Sequence, residues 1–136
     1  MQLQAAIELI SKAVGLVEPI TNGKKDYEFD GFDLAAGDDQ TLNDIYKEVT
    51  EKLKDIALLV EYANKPVKID GKVYKNDLGR YQFDNSSIYL TSGELVELYV
   101  PEEQQYVKTT ITHSEDDYYA VWYPQVELEG ARVRVR

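Results

Sequence analysis

The sequence predicts an α+β fold, with helices in the first half and strands in the second. Two observations carry this: helical spacing of apolar residues up to about Ala63, and short β-branched and aromatic runs between turn signals from Val67 onward. The 136 residues, 43% hydrophobic and 29% charged, have the composition of a globular chain long enough to bury a core.

The first helix rests on Leu3, Ile7, Ile10, Val14 and Val17, at alternating spacings of four and three, which makes one stripe of an amphipathic helix. Pro19 and "TNGKK" end it. The second starts at "TLNDIYKEV", where Thr41 is the expected N-cap with Asp44 three residues on, a capping-box-like start. Leu42, Ile45, Val49, Leu53, Ile56 and Val60 hold one face until Asn64 and Pro66 stop it. An antiparallel helix pair burying these stripes on each other is the expected arrangement, with an acidic segment between them.

Five or six short strands follow, in "KVYKNDLGRYQF", "SIYLTSGELVELYV", "QYVKTTITHS", "YYAVWYPQVEL" and "ARVRVR". Turns are expected at Asp70–Gly71, Asn76–Gly79, Asp84–Ser87, Ser92–Gly93 and Ser114–Asp117. Strands this short and evenly spaced suit a closed sheet, which protects its edges, so a small SH3-like antiparallel β-barrel is expected. The expected division is residues 1–66, helical with the acidic loop, and residues 67–136, the barrel.

Composition narrows the function classes. There is no cysteine and a single histidine, His113, so disulfides, thiolate zinc sites and multi-histidine metal sites are excluded. No glycine-rich phosphate loop and no G-x-S-x-G motif occurs, and the reading is of a non-enzyme without cofactor or metal. No signal peptide and no 18-residue apolar run is read, and a cytoplasmic location is expected. The formal charge of −10 disfavours direct phosphate contact and favours a basic protein partner.

The charge is local. Residues 26–51 hold nine carboxylates and one lysine, net −8. Within them "DYEFDG" matches the opening of a helix–loop–helix calcium loop, with Asp26, Glu28 and Asp30 at positions one, three and five. Position twelve, which should be a bidentate glutamate, is Gly37, and position eight is Asp33. The match fails where binding energy resides. Asp26, Glu28 and Asp30 alternate with Tyr27 and Phe29, so an extended segment would bury the aromatics and present carboxylates roughly 6.5–7 Å apart. That spacing resembles successive phosphates of one nucleic-acid strand. A solvated acidic loop leading into a helix N-terminus is the plainer alternative. The candidate partner-binding residues are Asp26, Glu28, Asp30, Asp33, Asp38, Asp39 and Asp44, with Tyr119 and Trp122 of the aromatic-rich β half. Arg132, Arg134 and Arg136 share one strand face, where cross-strand pairing with Glu94, Glu97, Glu127 or Glu129 is expected.

The β half resembles a small domain of unknown function found in short proteins of Gram-positive mobile elements, phages and plasmids among them. The likeness is carried by Gly71–Lys72, Asn76–Asp77, Gly79–Arg80–Tyr81, Leu90–Thr91–Ser92–Gly93 with Glu94 and Val96, Thr109 with Ile111 and His113, Tyr118–Tyr119, and Leu128 with Gly130 ahead of Val133 and Arg134. The resemblance implies a mobile-element accessory protein and transfers no site residue. With the local charge, it leads to the expectation of a DNA-mimic inhibitor of anti-CRISPR type, occupying the basic nucleic-acid site of a host defence nuclease such as a type II CRISPR nuclease. The alternative is a scaffolding module that binds a peptide, or itself, through the aromatic face of the barrel.

Overall fold

In a computed structural model, the structure describes residues 1–21, 29 and 31–136. Among these the chain forms two helices followed by a six-stranded antiparallel sheet, an α+β arrangement. It divides into two compact units, Met1–Lys65 and Pro66–Arg136.

In the first unit, α1 runs over Leu3–Gly15 and α2 over Gln40–Asn64. Helix α1 has Lys12 in its last turn, where a cation complements the helix dipole. Beyond it the Thr21 hydroxyl donates back to the Val17 and Glu18 carbonyls, at 3.4 and 3.2 Å, and Val17 and Thr21 are buried. The N-cap of α2 is Asp39 rather than the expected Thr41: its Oδ1 accepts the Leu42 N–H at 3.1 Å, relieving one orphan donor of the first turn. Thr41 is already helical. The two helices touch, but the expected burial of the stripes is only partial. Helix α1 has no buried residue and α2 has only Thr50 and Ala57, while Ile45 remains 51% exposed. The small residues lie deepest because they permit close approach, and one neighbouring helix covers only part of a broad stripe.

In the second unit the strands are β1 (Ile69–Lys75), β2 (Tyr81–Phe83), β3 (Leu95–Val100), β4 (Gln105–His113), β5 (Tyr118–Ala120) and β6 (Arg132–Val135). Their order is β2-β1-β6-β3-β4-β5, every adjacent pair antiparallel. Period-two alternation sorts the faces: Val96, Leu98 and Val100 of β3 are buried, and Leu95, Glu97 and Tyr99 face away. Val73, Phe83, Leu98, Ile111, Ala120 and Val133 join residues from all six strands in one apolar cluster. Asp70–Gly71, expected as a turn, lies inside β1, where Gly71 pairs with Val133. Glycine eases the packing there, because a Cβ would stand 3.0 Å from Asn85 Oδ1 and 3.1 Å from Asp84 Oδ1, closer than those side chains accept without shifting. The Asn76–Gly79 turn forms as expected: Asn76 Oδ1 accepts the Leu78 and Arg80 N–H groups, both at 3.0 Å, and Gly79 has φ +74°.

The backbone ladder is open between β2 and β5, and side chains span that gap. Lys75 Nζ and the Tyr81 hydroxyl both reach Asp117 Oδ2, at 2.8 and 3.0 Å, and the Tyr81 and Tyr118 rings meet edge to face at 6.4 Å. Both edges are blunted. Residues 88–90 cover β2 through Phe83 N–H to Ile88 O and Leu90 N–H to Tyr81 O. At β5, Asp117 Oδ1 accepts the Tyr118 N–H at 2.8 Å, and the Ala120 carbonyl accepts the Tyr123 N–H at 3.1 Å. No helix among the described residues is long and apolar enough to cross a membrane.

Candidate functional site

The acidic site is built on the entry to α2. Its first turn leaves N–H groups without intrahelical partners, and consecutive aspartates answer that need. Asp39 caps the helix, and Asp38 Oδ2 accepts the Ala35 N–H at 2.6 Å, folding the preceding loop back. Asp44 Oδ1 accepts from Gln40 Nε2 at 3.0 Å, one turn along. Asp38, Asp39 and Asp44 therefore each have a local structural role. For Asp33 no such bond is present among the described residues. Asp26, Glu28 and Asp30 lie outside the described residues.

Between loop and helix lies a recess of about 320 Å³, lined by Phe32, Leu34, Leu42 and Tyr46 and by the polar residues Asp33, Asp38, Asp39 and Asn43. Among the described residues no base lines it, and the four apolar side chains are all substantially exposed. Asn43 Oδ1 is a buried acceptor with no hydrogen-bond partner among the described residues. Farther down α2, Glu48 pairs with Lys52 at 3.4 Å and Glu51 with Lys54 at 3.9 Å. Among the described residues no cation pairs with Asp33, Asp38 or Asp39, which stand around the apolar floor at the helix entry. The sequence marks these carboxylates but not the floor. Leu42 reads as a core-stripe residue, and the alternation of Phe32 and Leu34 about Asp33 is the signal that could have found it.

On the β unit, Tyr119 stands on the outer face of β5 and is 37% exposed, while Trp122 lies in the turn after β5 and is 85% exposed. Their neighbours Tyr118 and Tyr123 pack against the core instead. The arginine row on β6 is paired, as its alternation suggests: Arg134 and Arg136 both donate from Nε to Glu97, the latter at 3.0 Å, and the Arg134 guanidinium lies 3.9 Å from the centre of the Tyr106 ring. Arg132 pairs with Asp70, at 3.1 Å, rather than with a glutamate. Asp70 also accepts the Tyr106 hydroxyl at 3.0 Å. Burial and that bond raise the Tyr106 pKa, and Asp70 holds Arg132 above its ordinary value. At the seam, burial and the bond to Asp117 push Tyr81 up to about 12, while Lys75 lowers the Asp117 carboxyl below its ordinary value. Sequence reasoning passed over this Lys75–Tyr81–Asp117 group, because 42 residues separate Lys75 from Asp117.

Residues 73–135 match a family described as a domain of unknown function, DUF5348. The DUF5348 segment contains β2–β6 and the last three residues of β1, hence the seam, Arg132 and Arg134 of the arginine row, and Trp122. It excludes both helices and the acidic recess. No curated protein and no solved structure matches the chain.

Proposed function

We propose that the protein is a non-enzymatic binding protein whose acidic helix entry occupies a basic, nucleic-acid-binding site on another protein. The observation that carries this reading is the recess at the start of α2. It combines an exposed apolar floor with Asp33, Asp38 and Asp39, and among the described residues no base lines it. Such a layout supplies what a tight protein contact needs: a desolvated apolar anchor at the centre and directional charge around it. Carboxylates there take the lysine and arginine partners that phosphates would otherwise hold. Long-range attraction from residues 26–51, net −8, speeds the encounter.

In its finer form the reading is an inhibitor carried by a mobile element. Its target is a host defence nuclease with a basic nucleic-acid channel, a type II CRISPR nuclease being the leading candidate. The DUF5348 segment then serves as the scaffold joined to the acidic unit. The test is competition for target DNA on that nuclease, measured at low and high salt. The native chain should displace DNA at low salt and lose this ability as salt rises. A variant with Asp26, Glu28, Asp30 and Asp33 changed to lysine should not displace DNA, while keeping its melting temperature. Undiminished displacement by that variant refutes the charge-mimic reading.

A further inference from the structure

Trp122 is held in a conformation and an environment that both disfavour tryptophan. It has φ +68°, in the left-handed region that suits glycine, and its side chain is 85% exposed. It sits at the third position of a turn closed by the Tyr123 N–H on the Ala120 carbonyl at 3.1 Å, where positive φ marks the type II form and normally calls for glycine. The turn is pinned. The Val121 N–H donates to the Thr110 carbonyl at 2.9 Å, and the buried Thr109 hydroxyl donates to the Val121 carbonyl. Beyond it the Val126 N–H closes a second turn on the Tyr123 carbonyl at 3.0 Å. The indole is thus a rigid knob presented to solvent, and a strained residue of this kind persists where presentation itself is useful.

A matching recess lies on the same unit. It measures about 530 Å³ and begins three residues after the knob, at Gln125. Tyr99, Pro101 and Val126 supply apolar and aromatic surface, Gln125 and Glu127 supply acceptors, and Arg132 supplies a cation. An indole fits each of these. It is a large apolar plane, its N–H is a donor only, and its face attracts a guanidinium. The volume lies within the range of ligand-binding recesses, roughly 300–1,000 Å³, and leaves room for the indole together with its flanking turn.

We infer that the Trp122 turn and this recess form a self-complementary contact between two copies of the chain, each inserting its indole into the other's recess. A two-fold contact needs one chain to carry both knob and hole, since a single symmetric encounter then fills both recesses. This goes beyond binding through the acidic helix entry, and it differs from it in salt response. With a net charge of −10 on each copy, raising salt screens repulsion between copies and strengthens the pair, whereas it weakens capture of a basic partner.

The test uses the full chain, in sedimentation and in the intrinsic fluorescence of its one tryptophan, over a roughly hundredfold concentration range. The native chain should dimerise with a blue shift of emission. Trp122→Gly and Gln125→Phe, which removes the knob and fills the hole respectively, should each weaken dimerisation at least tenfold. Trp122→Gly should melt no lower than the native monomer, because glycine accepts the turn's φ; this separates lost association from lost folding. A chain that stays monomeric throughout overturns the inference, in which case a different molecule must take the indole. Dimerisation of native strength in Trp122→Gly overturns it equally, and the same result in Gln125→Phe overturns the recess as the seat of the indole.

Discussion

Replacing Asp117 by asparagine tests whether side chains hold the sheet together where its backbone ladder is open. The carboxylate accepts Lys75 Nζ at 2.8 Å, the Tyr81 hydroxyl at 3.0 Å and the Tyr118 N–H at 2.8 Å. Tyr81 is only 6% exposed, so its bond to a charged acceptor is the larger contribution, about 1.5–3 kcal/mol. Both partners of the lysine pair are more than a third exposed, and solvent screening holds it to about 0–1 kcal/mol. Asparagine keeps one acceptor oxygen and the shape, so the net loss should be about 2 kcal/mol. For a unit of this size that lowers the melting temperature by roughly 8–16 °C.

The pH dependence supplies a second check. The Asp117 carboxyl has its pKa lowered in the folded chain, so its contribution is complete above the ordinary value of 3.8 and is lost as pH falls through the lowered one. Thermal unfolding followed by near-ultraviolet circular dichroism should show the full gap between native chain and variant at about pH 7 and a gap that narrows as pH falls below 3.8 and the carboxyl takes up its proton. Equal melting temperatures at neutral pH would refute the role of the seam. A gap that does not narrow in acid would refute its electrostatic origin.

Three further outcomes follow from the same geometry. Tyr81, raised from 10.0 to about 12, favours the folded state completely below pH 10 and loses that contribution as pH climbs toward 12; Tyr81→Phe should therefore flatten this part of the stability–pH curve, read in urea titrations. Glu97→Gln withdraws the one carboxylate shared by Arg134 and Arg136, and since Glu97 is 12% exposed on its side chain, urea unfolding should register a loss of about 2–3 kcal/mol. Asp39→Ala should lower the far-ultraviolet melting of the helical unit by about 1 kcal/mol through loss of the N-cap, whereas Asp39→Asn should cost only a few tenths; equal losses would mean that charge rather than the cap bond to Leu42 is responsible.

The candidate sites were legible to unequal degrees. The acidic concentration in residues 26–51 is a property of composition, so it is visible without coordinates. The floor beneath it is not, because Leu42 and Tyr46 satisfy helical periodicity whether they are covered or left open at the helix entry. Trp122 attracts attention as the only tryptophan, but its positive φ depends on how β4 pins Val121 from both sides. Thr41 and Asp39 show the local limit: both are competent caps by residue type, and the direction of the incoming loop selects the aspartate.

By itself the sequence determined which segments are helix and which are strand, because apolar spacings of three and four, or of two, record the face that each element buries. It also determined the turn at Asn76–Gly79, where the asparagine side chain and the positive φ of glycine act within four residues. Strand order, the open seam and the pairing of Arg132 with Asp70 were decided only by tertiary structure. Those contacts join residues dozens of positions apart, and an alternating strand fixes which side a residue faces without fixing which strand lies beside it. The DG pair at Asp70–Gly71 is the sharpest case: as a dipeptide it signals a turn, and it runs straight through β1 because Arg134 and Val133 of β6 pair with it.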